Sequence, residues 1–391
     1  MYVVAARERT AGERRVALVP DAVATLRRQG HTVGIEAGAG RPARFADDAY
    51  REAGAEVLDD LGELVGRADV LVSVLLPEPE TLARLRRGRI LVGLLAPVEQ
   101  ATRIQALAAT GVTAFSLDAM PRTTRAQSMD VLSAMSTVAG YRAAILAAEY
   151  AGRFLPLLMT AAGTIPPARV LVIGAGVAGL QAIATLRRLG AVVEAFDARP
   201  AVREQVESLG ASFLAPEEIV VEGTGGYARA AAEDEILRER EVLRRPVATA
   251  DIVVSTAMVP GAPAPRLIDE TMIAAMRPGS VIIDLAAPAG GNATLTRPGE
   301  RIVTEGGVVI EGATDIVSQM PQAASQLYAR SLQSFLTLLW QEGMAGGGAG
   351  EAEGAAPTLA LTDEILAKTL VVHAGAVVHA PTLDRLRTAA P

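Results

Sequence analysis

Apolar residues in the first hundred positions fall in short, nearly unbroken runs, VALVP, TVGIEAG, ADVLVSVLL and GRILVGLL, separated by stretches with helical spacing. Such runs suit strands buried on both faces of a parallel sheet, where polar alternation has no place. The intervening patterns predict helices near Asp21 to Gln29 and Asp47 to Ala53. A stretch rich in Ala, Leu and Met from Asp130 to Arg153 predicts one extended helix bridging two lobes, and Gln319 to Trp340 predicts a second. From Val170 the alternation resumes with VLVI, a helix through Leu180, Ile183 and Leu186, then Ser212 to Leu214, ADIVVST, SVIIDLA and VVIEGAT. Near the end, TLALTD and LVVHAGAVVHA read as short strands returning to the first lobe.

This order predicts an α/β protein of two Rossmann-like, doubly wound parallel-sheet domains joined by two long helices, with a cleft between them. The expected first domain is discontinuous, 1–130 plus 315–391, and wraps around a second domain over 131–314. The Gly/Ala/Glu-rich stretch 343–357 reads as a flexible loop.

Inside the second domain, VLVIGAGVAGLQAIATLRRLGAVVEAFDAR has the order strand, glycine-rich turn, helix, strand and terminal acid. Gly174, Gly176 and Gly179 carry the GxGxxG spacing: one glycine for the tight turn, one for close approach to a pyrophosphate, one for packing helix on strand. The amides of Ala175, Gly176 and Val177 then face the phosphates at a helix N-terminus, where unpaired N–H groups and the dipole favour anions. Asp197 follows at about the ~20-residue spacing expected of an acid that accepts from a ribose 2′-hydroxyl. A carboxylate there repels a 2′-phosphate, so the expected cofactor is NAD(H) rather than NADP(H). The bland alternative is a turn that glycines merely permit.

Composition narrows the picture. Hydrophobic residues make up 50% and aromatics only 3%, so the core is built from Ala, Val, Leu and Ile. A net charge of −7 gives no general attraction to nucleic acid or to an anionic membrane surface. The absence of cysteine removes disulfides, thiolate nucleophiles and cysteine metal sites, and suggests an intracellular compartment. The N-terminus does not read as a signal peptide, and no uninterrupted apolar stretch reaches the ~18 residues of a membrane span. His31, His373 and His379 have no partners at metal-ligand spacing and read as structural. No metal site is expected, and the lack of an acid–base histidine suits a hydride transfer without coupled proton transfer at the reacting carbon.

Two further segments are dense in polar groups. In PRTTRAQSMD, Arg122 and Asp130 can pair as a guanidinium fork with a carboxylate, and Gln127 offers both donor and acceptor to a neutral amide such as a nicotinamide carboxamide. Equally, this is a solvated loop in which Ser128 or Asp130 caps the following helix. Gly225 and Gly226 before Tyr227 form a hinge-like pair, read either as a gating loop or as a hairpin with an exposed tyrosine.

The words PRTTRAQSMD, AGYRA, LMTAAGTIPPARVLVIGAGVAGLQAIATLRRLGA, FDAR, REQVESLGA, GGYA and SVIIDLA together resemble the NAD(H)-binding alpha subunit, domain I, of proton-translocating NAD(P) transhydrogenases, in the alanine dehydrogenase/transhydrogenase family. The resemblance implies direct hydride exchange between NAD(H) held here and NADP(H) held by a partner domain. It places Arg122 and Asp130 at the nicotinamide with Ser128 and Ser133 close by, and turns Gln127 toward the NADP(H)-bearing partner. Gly226 and Tyr227 match a mobile loop that folds over the cofactor, and Ala198, Arg199 and Met258 match its adenosine side. Proton coupling then belongs to a membrane domain on a separate chain. The resemblance further implies a homodimer, cytoplasmic and peripheral to the inner face of the cell membrane through its partner subunits.

Two other functions fit the same fold. An alanine-dehydrogenase-like oxidoreductase needs a carboxylate-binding Lys or Arg and a proton-handling His in the first lobe, and SVLLPEP and GLLAPVE supply neither. A non-catalytic NAD-binding regulatory subunit needs only the glycine-rich site.

Overall fold

The computed structural model describes residues 1–214, 233–259, 262–344 and 359–389. The chain forms two compact units, one from residues 1–135 and 318–391 and one from 136–317. Each is built on its own twisted sheet.

The first sheet contains β1 (Tyr2–Ala5), β2 (Thr32–Glu36), β3 (Glu56–Leu58), β4 (Val70–Leu75), β5 (Ile90–Leu94) and β6 (Thr113–Ser116) in the order β3-β2-β1-β4-β5-β6, all parallel. Leu370–His373 and Ala376–Val377 extend it beyond β6 as antiparallel strands. The central strand β1 lies in YVVA, an apolar run of four residues at the very start that the sequence pattern did not single out. The run VALVP is not a strand. Val16 to Val19 are buried but irregular, the amide of Val16 donates to Ser325 Oγ at 3.0 Å instead of to a ladder, and Pro20 starts the helix Pro20–Arg28. TLALTD likewise forms no strand in its described part. Asp363 ends it as a helix cap, accepting from the amides of Ile365 and Leu366 ahead of Glu364–Thr369.

A separate hairpin of β7 (Leu158–Thr160) and β8 (Gly163–Ile165) precedes the second sheet. That sheet is built from β9 (Arg169–Ile173), β10 (Val192–Phe196), β11 (Ser212–Leu214), β12 (Ile252–Ser255), β13 (Val281–Asp284) and β15 (Val309–Gly312), in the order β11-β10-β9-β12-β13-β15. All of these are parallel, and β14 (Arg301–Val303) closes the edge antiparallel to β15. Side chains alternate strictly across this sheet. Val170, Val172, Ile252 and Val254 pack with Ala182, Ile183 and Leu186 of the helix Val177–Arg188 and with Ala143, Ala144 and Ala147 of the helix Val131–Tyr150. Leu171, Ile173 and Val253 face the other way, onto Leu243, Val247 and Met272. Both faces are therefore apolar, which is why these strands read as continuous runs. Val131–Tyr150 is the one described helix long and apolar enough to cross a membrane, and its alanines are built into this core.

Candidate functional site

In a doubly wound sheet the chain reverses direction between its first and fourth strands, leaving a crevice at the strands' carboxyl ends where ligands bind. In the second unit that point lies between β9 and β12, and the glycine-rich turn leaves β9 there. Gly174 has φ +90°, a left-handed conformation that its missing Cβ permits. A Cβ on Gly179 would stand 1.8 Å from the Gly174 carbonyl oxygen, so helix and turn are in backbone contact. A Cβ on Gly176 would have no neighbour within 4 Å. The three glycines thus differ physically: the first bends, the third packs, and the second leaves backbone open to a ligand at the start of the helix Val177–Arg188, where Val177 is exposed. This open cradle fits a pyrophosphate.

Asp197 is buried at the end of β10. Its Oδ2 accepts from the amide of Ala175 at 2.7 Å and from Arg199 Nη2 at 2.8 Å, and its Oδ1 accepts from the amide and Nε of Arg199, each at 2.9 Å. The amide of Ala175 is therefore directed at this carboxylate, not at a phosphate position, leaving Gly176 and Val177 as the cradle's donors. Ion pairing with Asp197 raises the Arg199 pKa further. Ala198 stands between the two residues, half-buried.

Opposite β9, the segment after β12 is held by groups that belong to no sequence motif. Thr256 Oγ1 donates to the Gly174 carbonyl at 3.0 Å. Asn292, fully buried, accepts from Ser255 Oγ (2.6 Å) and the Ala257 amide (3.2 Å) and donates to the carbonyls of Ala257 (2.8 Å) and Pro265 (2.9 Å). Its own amide donates to Asp284, whose buried carboxyl also accepts from Ala286, Ala293 and Thr296. Burial raises the Asp284 pKa against these hydrogen bonds. The network fixes Thr256–Ala257 and presents Met258, which is exposed, at the carboxyl edge of β12. The only hint in the sequence is an asparagine after two glycines in a segment otherwise made of small residues.

In the first unit, Thr124–Met129 is a 3₁₀ turn that leads into the helix Val131–Tyr150. Gln127 and Ser128 are exposed on it and Arg122 is exposed just before it, while Ala126 and Met129 anchor it inward. Asp130 accepts from the amide of Ser133 at 2.9 Å and from its hydroxyl at 2.6 Å, so it caps the helix. Arg125 pairs with Asp363 from the C-terminal segment.

The histidines are occupied locally: His31 stacks on Trp340 at 3.7 Å between ring centroids, His373 Nδ1 meets Thr113 Oγ1 at 3.1 Å, and His379 Nδ1 meets Thr382 Oγ1 at 2.8 Å. Among the described residues no three His, Cys, Asp or Glu side chains converge as a metal site. Gly226 and Tyr227, and all but the first two residues of the stretch 343–357, lie outside the described residues.

Residues 4–139 match the family described as alanine dehydrogenase/PNT, N-terminal domain, and 143–380 match its C-terminal domain. The chain is 46% identical over 342 residues to the NAD(P) transhydrogenase subunit alpha of Cereibacter sphaeroides, covering 86% of this chain and 65% of that longer one. It is 42% identical over 387 residues to an NAD(P) transhydrogenase subunit alpha chain of Rhodospirillum rubrum, with 97% and 98% of the two chains covered. A solved transhydrogenase structure from Sinorhizobium meliloti superposes with a TM-score of 0.85 at 40% identity, covering 97% of this chain and all of that one.

Proposed function

The chain belongs to the alanine dehydrogenase/PNT family, a family of NAD oxidoreductases, and from that premise we propose that it is the NAD(H)-binding component of a proton-translocating NAD(P) transhydrogenase. The supporting observation is the turn Gly174–Gly179 at the reversal point of the second sheet, open at Gly176 and flanked by Asp197. In this reading the amides of Gly176 and Val177 receive the pyrophosphate, and Asp197 reads the adenosine ribose while Ala198, Arg199 and Met258 line that side. Arg122 and Asp130 orient the nicotinamide carboxamide, with Ser128 beside them and Ser133 holding the Asp130 carboxylate. Gln127, exposed on its turn, faces the partner, and Gly226 and Tyr227 cover the bound cofactor. When bound, NAD(H) supplies or accepts the hydride. The residues of this chain only bind and orient, so no histidine is needed for a proton.

The NADP(H)-binding domain and the membrane domain are then separate chains, a second copy of this chain completes a dimer, and the assembly holds it at the cytoplasmic face of the membrane. The test is hydride exchange between NADH and an NADP⁺ analogue with and without an NADP(H)-binding transhydrogenase domain. Exchange that depends on the added domain supports the proposal. NADH binding without exchange favours a regulatory subunit, and partner-independent turnover of NAD⁺ with L-alanine favours the amino-acid oxidoreductase.

A further inference from the structure

The helix Glu233–Thr249 buries Glu239, Leu243 and Val247, one residue per turn along a single stripe. Leu243 and Val247 pack on Leu171, Phe196 and Val253, as a core helix should. Glu239 is 4% exposed on the same stripe, and no described residue hydrogen-bonds its carboxyl. A carboxyl carried on a core-facing, otherwise apolar stripe weakens a fold unless it serves something else. The helix passes the chain to β12 at Ile252, so its C-terminal end lies at the amino edge of the strands and Glu239 lies toward their carboxyl edge, where Asp197 follows β10.

We propose that Glu239 is a specificity-determining residue of the dinucleotide site: a second carboxyl near Asp197 whose ionisation sets how strongly the chain prefers a ribose 2′-hydroxyl to a 2′-phosphate. The proposal rests on reading the glycine-rich turn and Asp197 as the NAD(H) site. Among the described residues, the charges that act on Glu239 are Glu235, one helical turn earlier, and Asp197. Arg199 already balances Asp197, while the nearby guanidinium groups of Arg240 and Arg266 are turned to the carbonyls of Arg266 and Ala293. A neutral Glu239 therefore leaves the Asp197–Arg199 pair balanced, and an ionised one adds a net negative charge. A 2′-hydroxyl is indifferent to that charge, whereas a 2′-phosphate carries roughly −1.5 to −2 and is repelled. Burial, reinforced by the two acids, pushes the Glu239 pKa up to about 7, so its charge changes within the physiological range.

The experiment titrates the whole chain with NADH, and with NADPH as competitor, by nucleotide fluorescence at pH 6 and pH 8. Wild type is compared with Glu239→Gln and with Glu239→Leu, which continues the apolar stripe and guards against a folding defect in the glutamine variant. The 2′-phosphate itself gains charge near pH ~6, and that change is common to wild type and both variants. The additional gain in preference for NADH by wild type as pH rises is the signal, expected on the order of fivefold for one partly screened charge. Equal gains in wild type and both variants overturn the proposal while leaving the NAD(H) site intact. Failure of wild type to bind NADH at either pH overturns the site reading, and the proposal with it.

Discussion

Arg199 lies across Asp197, its Nε 2.9 Å from Oδ1 and its Nη2 2.8 Å from Oδ2. With the amides of Ala175 and Arg199 also donating, the carboxylate has an acceptor role on every side, so a ribose hydroxyl competes with the guanidinium for it. Arg199 is also the residue type that accommodates a 2′-phosphate when free. Asp197→Asn removes the charge that restrains it. We expect NADH affinity to fall about tenfold and NADPH affinity to hold or rise, measured by fluorescence titration; equal losses for both nucleotides would show that Asp197 does not read the ribose.

The glycines separate folding from binding. Gly179→Ala forces a Cβ against the Gly174 carbonyl at 1.8 Å, and Gly140→Ala forces one against the Ala178 carbonyl at 2.0 Å. Each should cost on the order of 2–4 kcal/mol of stability, because backbone cannot yield as a side-chain tip can. Gly176→Ala meets nothing and has an allowed φ of −75°, so it should unfold at the wild-type temperature yet bind NADH at least tenfold more weakly. Thermal unfolding and NADH titration on the three variants decide the matter, and normal NADH binding by Gly176→Ala would remove the pyrophosphate from this turn.

How much of this was legible beforehand depended on whether a residue's partner is near in sequence. The glycine-rich turn and Asp197 could be read because strand, turn, helix and strand follow one another without interruption, and the strands because both sheet faces are apolar. VALVP misled because a buried irregular segment and a buried strand share the same apolar run, and only Ser325, 309 positions away, shows where the Val16 amide goes. Tyr2–Ala5 was passed over although its run is as long as VLVI, because no glycine-rich turn and helix follow it to mark it as a strand. Asn292 and Thr256 were invisible for the complementary reason: their roles come from contacts between strands far apart in the chain, and nothing in their own neighbourhood marks them.

Gln127 is exposed on the turn Thr124–Met129, whereas Asp130 is engaged by Ser133. A side chain facing a partner contributes to transfer and little to NADH affinity. Gln127→Ala should therefore lower partner-dependent hydride exchange by at least tenfold while changing the NADH dissociation constant by less than about threefold. Parallel losses in exchange and in binding would place Gln127 on the cofactor instead.

The turn carrying Gln127 is tied to the C-terminal segment by Arg125 and Asp363, and the latter is nearly buried because it also caps Glu364–Thr369. A pair with one exposed member is worth about 1 kcal/mol or less. Arg125→Gln alone should thus cost little stability, while Asp363→Ala should cost about 1 kcal/mol more through the lost cap. A double-mutant cycle on urea unfolding isolates the pair, and a coupling energy of zero would mean that Arg125 does not hold the turn.

Glu8 gives the first unit a predictable pH response. Its carboxyl sits between the ends of β1 and β4, accepting from the amides of Val74 at 2.6 Å and Leu75 at 3.3 Å. Burial outweighs these bonds and the pull of Arg15, and with Glu13 adding repulsion the pKa is pushed from 4.5 up to about 7. The native state then holds a proton over a pH range in which the unfolded chain has released it. Stability from this group is therefore complete below the unfolded value near 4.5 and is lost as pH rises through about 7. Glu239 acts in the same direction, so the comparison must be between wild type and Glu8→Gln, in which Glu239 is unchanged. Urea unfolding at pH 5 and pH 8 should show wild type losing on the order of 2 kcal/mol more than the variant across that interval, after allowance for partial solvent access to Glu8. An identical loss in both proteins would mean that Glu8 ionises in the folded state as readily as in the unfolded chain, and that the two amide bonds, not burial, govern it.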